Sequence, residues 1–236
     1  MPRKILSMHN KIHVLIPCAG HGSRFASNLP KQYHSICGKT VLDWTLLAFL
    51  SIEEINSISV VYSHGDSFIQ SYIHKYKTIN FMPLGGDTRA NSVVNGLTDL
   101  DINYKDWVLV HDAARCCIDP RDIKKLMNSL KYDEVGGILA SRATDTIKYV
   151  SNNSIIDKTI DRNHIFLAQT PQMFRSNILL ESLQSDDLAF ITDEASAVEL
   201  SGRDVKVIES DYPNFKITYP ADLKFAEFIL ESRMYT

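Results

Sequence analysis

Short apolar runs alternate along this chain with longer segments whose apolar positions recur every three or four residues. Runs at 12–16, 57–61, 79–82, 107–111, 136–140 and 205–208 read as strands, and 107–111 is apolar enough to be covered on both faces. Between them, 41–51 places Leu42, Thr45, Leu46 and Phe49 on one helical face, 89–100 opens near a glycine turn, and 120–130 begins with Pro120 in its first turn. Residues 193–200 form a further helix, with Thr192 as the expected N-cap, acids in the first turn and Gly202 beyond the end. A closing helix starts near Pro220 and buries Leu223, Ala226, Ile229 and Leu230. This rhythm predicts an α/β fold: a mostly parallel sheet with helices on both faces.

Residues 142–164 break the rhythm. Two β-like runs, 146–150 and 155–160, flank Ser151-Asn152-Asn153-Ser154, which predicts a β-hairpin projecting from the sheet. Isolated two-stranded ribbons are marginal in water, so the arm is expected to pack against something, such as another subunit. No repeat, low-complexity tract or linker is evident. The expected division is one domain, 1–236, with a hairpin arm at 142–164 inserted in it.

Composition narrows the partners. A net charge of −3 over 236 residues gives no general basic surface for nucleic acid, so any cationic character must be local. No apolar run approaches the roughly 18 residues of a membrane span. The first ten residues lack a long apolar segment and a small-residue cleavage site, so no secretory signal is expected. Cys18, Cys37, Cys116 and Cys117 form no C-x-x-C pair, which suits free thiols in a reducing cytoplasm and makes Cys116 and Cys117 packing residues. His9 and His13 have a metal-like spacing, but no third ligand accompanies them.

The chemistry concentrates just after the first strand. Pro17-Cys18-Ala19-Gly20-His21-Gly22-Ser23-Arg24 is a small-residue turn followed by a cation, and Lys31 adds a second cation seven positions on. Glycines let a polyanion reach backbone N–H groups, and cations beside such a nest suit a reacting phosphate chain. The Gly-x-x-x-x-Gly-Lys-Ser/Thr phosphate loop does not match, because Lys31 follows Pro30. The dinucleotide fingerprint fails too, with Phe25 where its third glycine belongs. Further clusters stand where strands end: Gly85-Gly86-Asp87-Thr88-Arg89 with Ser92, Asp112 with Arg115, Asp161-Arg162, and Thr192-Asp193. Lys216, between Phe215 and Ile217, reads as an outward position of a late strand. Asp112 is well placed to hold Mg²⁺ on triphosphate oxygens. Asp99-Leu100-Asp101 follows a helix and reads as a solvated loop. Ligands of open α/β sheets bind beyond the carboxyl ends of the strands, so these clusters together suggest phosphoryl or nucleotidyl transfer.

These segments, together with Pro30-Lys31-Gln32-Tyr33, Val110-His111-Asp112-Ala113-Ala114-Arg115, Asp145-Thr146-Ile147-Lys148, Thr170-Pro171-Gln172 and Thr192-Asp193-Glu194-Ala195-Ser196, resemble the 2-C-methyl-D-erythritol 4-phosphate cytidylyltransferase family over about residues 12–230. The resemblance implies a Rossmann-like nucleotidyltransferase fold, a homodimer, and transfer of CMP from CTP to methylerythritol phosphate with Mg²⁺ or another divalent cation. It implies Arg24, Lys31 and Lys216 as catalytic cations and nucleotide contacts at Ala19, Gly20, Gly22, Gly86, Asp87 and Ser92. It implies acceptor contacts at Asp112, Arg115, Thr146, Arg162, Thr170, Thr192 and Lys216, with the metal on Asp112 and with Thr146 and Arg162 serving the neighbouring subunit. Two departures stand out: Cys18 replaces a commoner alanine, and Cys116 replaces a usual proline. Two other readings stay open, a ribitol 5-phosphate cytidylyltransferase and a non-catalytic nucleotide-binding protein on the same fold.

Overall fold

The structure is a computed structural model that describes residues 10–20, 25, 27, 29–151, 154–184 and 191–234. The chain begins with β1 (Ile12–Pro17), a 3-10 turn at Lys31–Tyr33, the small pair β2 (Ser35–Ile36) and β3 (Lys39–Thr40), and α1 (Val41–Leu50). It continues through β4 (Ser57–Val61), α2 (Gln70–Lys75), β5 (Asn80–Met82), α3 (Arg89–Asp99), β6 (Trp107–Val110) and α4 (Pro120–Leu130). Then come β7 (Gly136–Arg142), β8 (Ile147–Val150), β9 (Ile156–Ile160), β10 (Phe166–Arg175) and α5 (Ser176–Leu183). The last elements are α6 (Glu194–Leu200), β11 (Lys206–Glu209) and α7 (Asp222–Met234).

Seven strands form one sheet in the order β11-β7-β10-β6-β1-β4-β5. Every neighbouring pair is parallel except the two that involve β10, which runs antiparallel between β6 and β7. The continuous apolar runs follow from cover on both faces. Val14, Ile16, Val60 and Leu109 pack with Leu42, Leu46 and Phe49 of α1 and Ile123, Leu126 and Leu130 of α4. Leu15, Val61, Val108 and Val110 pack with Val93 and Leu97 of α3, Leu179 of α5 and Val198 of α6. Strand alternation sends adjacent residues to opposite faces, so each run feeds both layers.

Prediction missed β10, α5 and α2. In β10 the run is broken by Gln169-Thr170-Pro171-Gln172, and a proline argues against a central strand. Pro171 lies where pairing with β7 is interrupted between Ala168 and Gln172, so its lack of an N–H costs no bond of that ladder. The N-cap of α6 is Asp193, not Thr192. Asp193 Oδ1 accepts from the Ser196 N–H at 3.0 Å, while the Thr192 N–H is itself spent on Ser196 Oγ. Lys216 is not on a strand: the segment joining β11 to α7 pairs with no strand of the sheet and is tied by the Ile217 N–H to the Ala114 carbonyl at 2.9 Å.

A third apolar cluster sits beyond the end of β6 and includes Phe25, Ala114, Cys116, Cys117, Ile217, and Ala226 and Leu230 of α7. Cys116 and Cys117 are therefore packing residues, and all four cysteines are unpaired. This cluster anchors the segment carrying Lys216 against the loop carrying Asp112. At the other end of the sheet, His13 bonds Ser57 and Asp106, which gives it a structural role; His9 lies outside the described residues. β8 and β9 pair with each other as a separate two-stranded ribbon, with Tyr149, Val150, Ile155 and Ile156 exposed.

Candidate active site

The loop after β1 is pinned before its first glycine. The Cys18 N–H donates to the Val61 carbonyl at 2.7 Å, Ser63 Oγ donates to the Ala19 carbonyl at 2.9 Å, and Gln32 Nε2 donates to the Cys18 carbonyl at 3.1 Å. The second glycine turn lies directly against it. A Cβ on Gly85 would stand 2.5 Å from Ala19 Cβ and 2.9 Å from the Tyr62 carbonyl, so only glycine lets the two turns approach this closely. The Gly86 N–H donates to Ser92 Oγ at 3.0 Å, and that hydroxyl donates to the Thr88 carbonyl at 3.0 Å, which sets the turn at the start of α3. Between the turns opens a cleft of about 640 Å³, walled also by Lys31, Asp87 and Lys216. Its size suits a nucleotide-sized ligand. Gly85→Ala is expected to push the two backbones apart and raise the apparent KM for nucleotide roughly tenfold, with acceptor KM unchanged; steady-state kinetics with each substrate varied would show it.

A second cavity of about 200 Å³ adjoins the first and is lined by Arg115, Gln169, Thr170 and Thr192, among others. The two share Arg89, Asp112 and Lys216. Asp112 is the hub of that shared wall. Its Oδ1 accepts from Arg89 Nε at 2.7 Å, and its Oδ2 stands 2.9 Å from Lys216 Nζ and 3.6 Å from Arg115 Nε. Burial alone would raise the Asp112 pKa, but Arg89, Lys216 and Arg115 hold it well below the usual carboxylate range. Arg89 also makes a two-pronged contact with buried Glu194, at 2.7 and 2.9 Å. The wall facing both cavities holds two cations, Arg89 and Lys216, and one carboxylate, Asp112; Arg115 and Asp193 line the smaller cavity alone. Nearby, Lys31 Nζ donates to the Ile217 carbonyl at 2.7 Å, one residue from Lys216.

Behind Asp112 runs a hydrogen-bond chain. His111 Nε2 lies 3.2 Å from the Arg115 carbonyl, which can only accept, so Nε2 carries the ring proton and Nδ1 accepts from Thr170 Oγ1 at 3.1 Å. The same Thr170 oxygen accepts from the Asp112 N–H at 3.1 Å. Thr170 therefore sets the position of the Asp112 backbone, and its proton is already committed. Thr170→Val is expected to cost about 1–3 kcal/mol in urea denaturation, because two buried groups lose their partner, while Thr170→Ser costs less.

Burial also lowers the His111 pKa from 6.5 to about 3. Between those values the unfolded chain binds a proton that the folded chain does not. Stability from this group is thus complete above about 6.5 and is lost as pH falls toward 3. The urea midpoint is expected to drop between pH 7 and pH 5, and a His111→Gln variant to show a flatter dependence over that range.

The comparisons with known proteins agree with one another. A family model described as 2-C-methyl-D-erythritol 4-phosphate cytidylyltransferase (IspD) matches residues 12–232. The chain belongs to this family. A protein of that name from Chromobacterium violaceum is 42% identical over 219 residues, covering 93% of this chain and 97% of its own length. One from Alteromonas mediterranea is 44% identical over 228 residues, covering 94% of each chain. Among solved structures, a 4-diphosphocytidyl-2C-methyl-D-erythritol synthase superposes with a TM-score of 0.84 at 36% identity, over 95% of this chain and 100% of that one. The Francisella tularensis 2-C-methyl-D-erythritol 4-phosphate cytidylyltransferase gives 0.78 at 38% identity, over 93% of this chain and 100% of that one.

In this member of the cytidylyltransferase family the structure gathers most of the predicted residues. Ala19, Gly20, Lys31, Gly86, Asp87 and Ser92 line the larger cleft, Arg115, Thr170 and Thr192 the smaller, and Asp112 and Lys216 both. Gly22 and Arg24 lie outside the described residues. Thr146 and Arg162 line neither cavity of their own chain: Thr146 is exposed before β8, and Arg162 caps the arm by donating to the Thr144 carbonyl. Arg115 is partly spent on the Asn214 carbonyl at 2.7 Å, which limits its freedom to grip a phosphate. Arg89, Glu194 and His111 were not predicted as site residues. Arg89 carried one readable signal, since a cation at the first position of a helix opposes the helix dipole and calls for a tertiary reason.

Proposed function

We propose that this protein transfers the CMP group of CTP to 2-C-methyl-D-erythritol 4-phosphate and releases pyrophosphate, a step of isoprenoid precursor synthesis. The observation that carries this reading is the pair of adjoining cavities sharing Arg89, Asp112 and Lys216, in a chain whose family and relatives bear that name. CTP occupies the larger cleft, its triphosphate against the Ala19–Gly20 turn and Lys31, and its base and ribose against Gly86–Asp87 with Ser92 behind them. Backbone groups of a glycine turn can read a base edge by hydrogen bonds, which suits selection of cytosine. The acceptor occupies the smaller cavity beside Asp112, Arg115, Thr170, Thr192 and Lys216.

A phosphate oxygen of the acceptor attacks the α-phosphorus of CTP. The new P–O bond forms as the bond from that phosphorus to the bridging oxygen breaks, and pyrophosphate leaves with the electron pair. A phosphate monoester is largely dianionic near neutral pH, since its second pKa is about 6, so no strong general base is needed. The task is to bring two polyanions together and hold the added charge on the equatorial oxygens, which Lys31 and Lys216 address by position and charge, with Arg24 assigned the same task by the family resemblance alone. The donor set at Asp112 is a single carboxylate already shared with three cations. Asp112 is the residue that would hold a Mg²⁺ brought by the triphosphate, with phosphate and water oxygens supplying the other ligands. When bound there, the metal supplies neutralisation of phosphate charge.

The assembly we propose is a homodimer in which the arm's Thr146 and Arg162 reach the neighbour's acceptor cavity. The exposed apolar residues of the ribbon and its lack of sheet partners support this. No described helix is long and apolar enough to cross a membrane, and the unpaired cysteines support a cytoplasmic location. Pyrophosphate release measured with CTP, ATP, GTP and UTP tests the function. The expected result is turnover with CTP and methylerythritol phosphate far above any other pairing. Equal turnover with ribitol 5-phosphate, or CTP binding without release, would overturn it.

A further inference from the structure

Arg89 sits at the junction of three separate chain segments. It is the first residue of α3, directly after the glycine turn; Glu194 is the first residue of α6; Asp112 lies in the loop after β6. The guanidinium gives Nε to Asp112 and its other two nitrogens to Glu194, all within 2.9 Å. Such a planar fork has no counterpart in lysine. Glu194 is 1% exposed at its side chain, and both its oxygens are taken by Arg89. Arg89 is therefore fixed from behind. Lys216 is held differently: its one ammonium touches Asp112 Oδ2 from a more exposed segment. It lines both cavities.

We propose that Arg89, locked by Glu194, is a positioning residue that keeps the Asp112 carboxylate in place and charge-balanced when Lys216 turns from it to the phosphates. This rests on the transfer reading above. When substrates bind, Lys216 must share its donors between Asp112 and incoming phosphate oxygens. Arg115 remains 3.6 Å from Oδ2, beyond hydrogen-bond reach, so Arg89 at 2.7 Å is the fixed cation that bonds the carboxylate directly. Arg89 holds Oδ1, so Oδ2 stays aimed at the shared wall of the two cavities. The competing explanation is that Arg89 does no more than neutralise the buried Glu194 carboxylate.

The double variant Arg89→Met/Glu194→Met separates the two. It removes both members of the buried pair, which is far milder than stranding one charge. If Arg89 positions Asp112, the double variant melts within about 4 °C of wild type and binds CTP within about threefold by calorimetry. Its kcat nevertheless falls on the order of 100-fold and its acceptor KM rises, as a displaced reacting geometry predicts. If the role is only to neutralise Glu194, the double variant turns over within about threefold of wild type, and the proposal is overturned. Arg89→Lys keeps the charge at the site and loses the fork, so it provides a second reading should the double variant not fold. An Arg89→Lys enzyme with wild-type kcat overturns the proposal, and a loss of about tenfold or more supports it. Wild-type enzyme is assayed alongside: its failure to release pyrophosphate with methylerythritol phosphate refutes the transfer reading itself, whereas failure of this inference alone shows as active wild type and active variants.

Discussion

Lys216→Met is expected to lower kcat for CMP transfer about 10²–10³-fold, or roughly 3–4 kcal/mol of barrier, and to raise the acceptor KM as well. Lys216 lines both cavities, so in the proposed transfer its ammonium would reach the acceptor phosphate and the α-phosphate it attacks. Methionine keeps much of the stem's volume and discards the charge. The fold is expected to survive, because Asp112 retains Arg89 at 2.7 Å and Arg115 at 3.6 Å. A thermal midpoint near that of wild type, with single-turnover rates reduced by this factor, would match. Turnover within a few-fold of wild type would remove Lys216 from the chemistry.

Lys31→Met is expected to match that loss of kcat, about 10²–10³-fold, with a different signature. Lys31 lines the larger cleft only. Its removal should weaken stabilisation of charge on the triphosphate and leave the acceptor KM near its wild-type value. Its Nζ also holds the Ile217 carbonyl at 2.7 Å, so a modest shift of the Lys216 segment accompanies the change. Varying each substrate in turn distinguishes the variants: both parameters move for Lys216, and mainly kcat for Lys31. An acceptor KM raised as far in Lys31→Met as in Lys216→Met would contradict the division of the site into two cavities.

Legibility from sequence followed the physics of cover. β1, β4 and β6 were readable because helices bury both their faces, and only His13, Ser57 and Ser59 break their apolar runs. β10 was not, because Gln169, Thr170 and Gln172 are turned to polar work. Gln172 bonds Asp193 at 2.8 Å and the Ala195 N–H at 2.8 Å, and Thr170 holds the Asp112 loop. The strand whose apolar run breaks at these residues is thus one that lines the smaller cavity. Phe215-Lys216-Ile217 alternates as a strand would, yet its Ile217 N–H bonds the Ala114 carbonyl and the segment joins no ladder. The glycine turns, Asp112 and the cations were each visible as residue types at strand ends. That Arg89 and Lys216 join Arg115 at one carboxylate was not visible: Arg115 lies three residues from Asp112, but residues 89 and 216 are brought to it by tertiary packing alone.

The account stands on two negatively charged substrates meeting across the wall formed by Arg89, Asp112 and Lys216. A crystal structure with a non-hydrolysable CTP analogue and methylerythritol phosphate bound together tests it most directly. The expected arrangement has the triphosphate against the Ala19–Gly20 turn, the base against the Gly85–Asp87 turn and the acceptor phosphate beside Arg115 and Thr192. Lys216 lies between them, with the attacking oxygen about 3–3.5 Å from the α-phosphorus. An acceptor bound away from the Asp112 wall, or a nucleotide whose phosphates point away from Lys216, would contradict it.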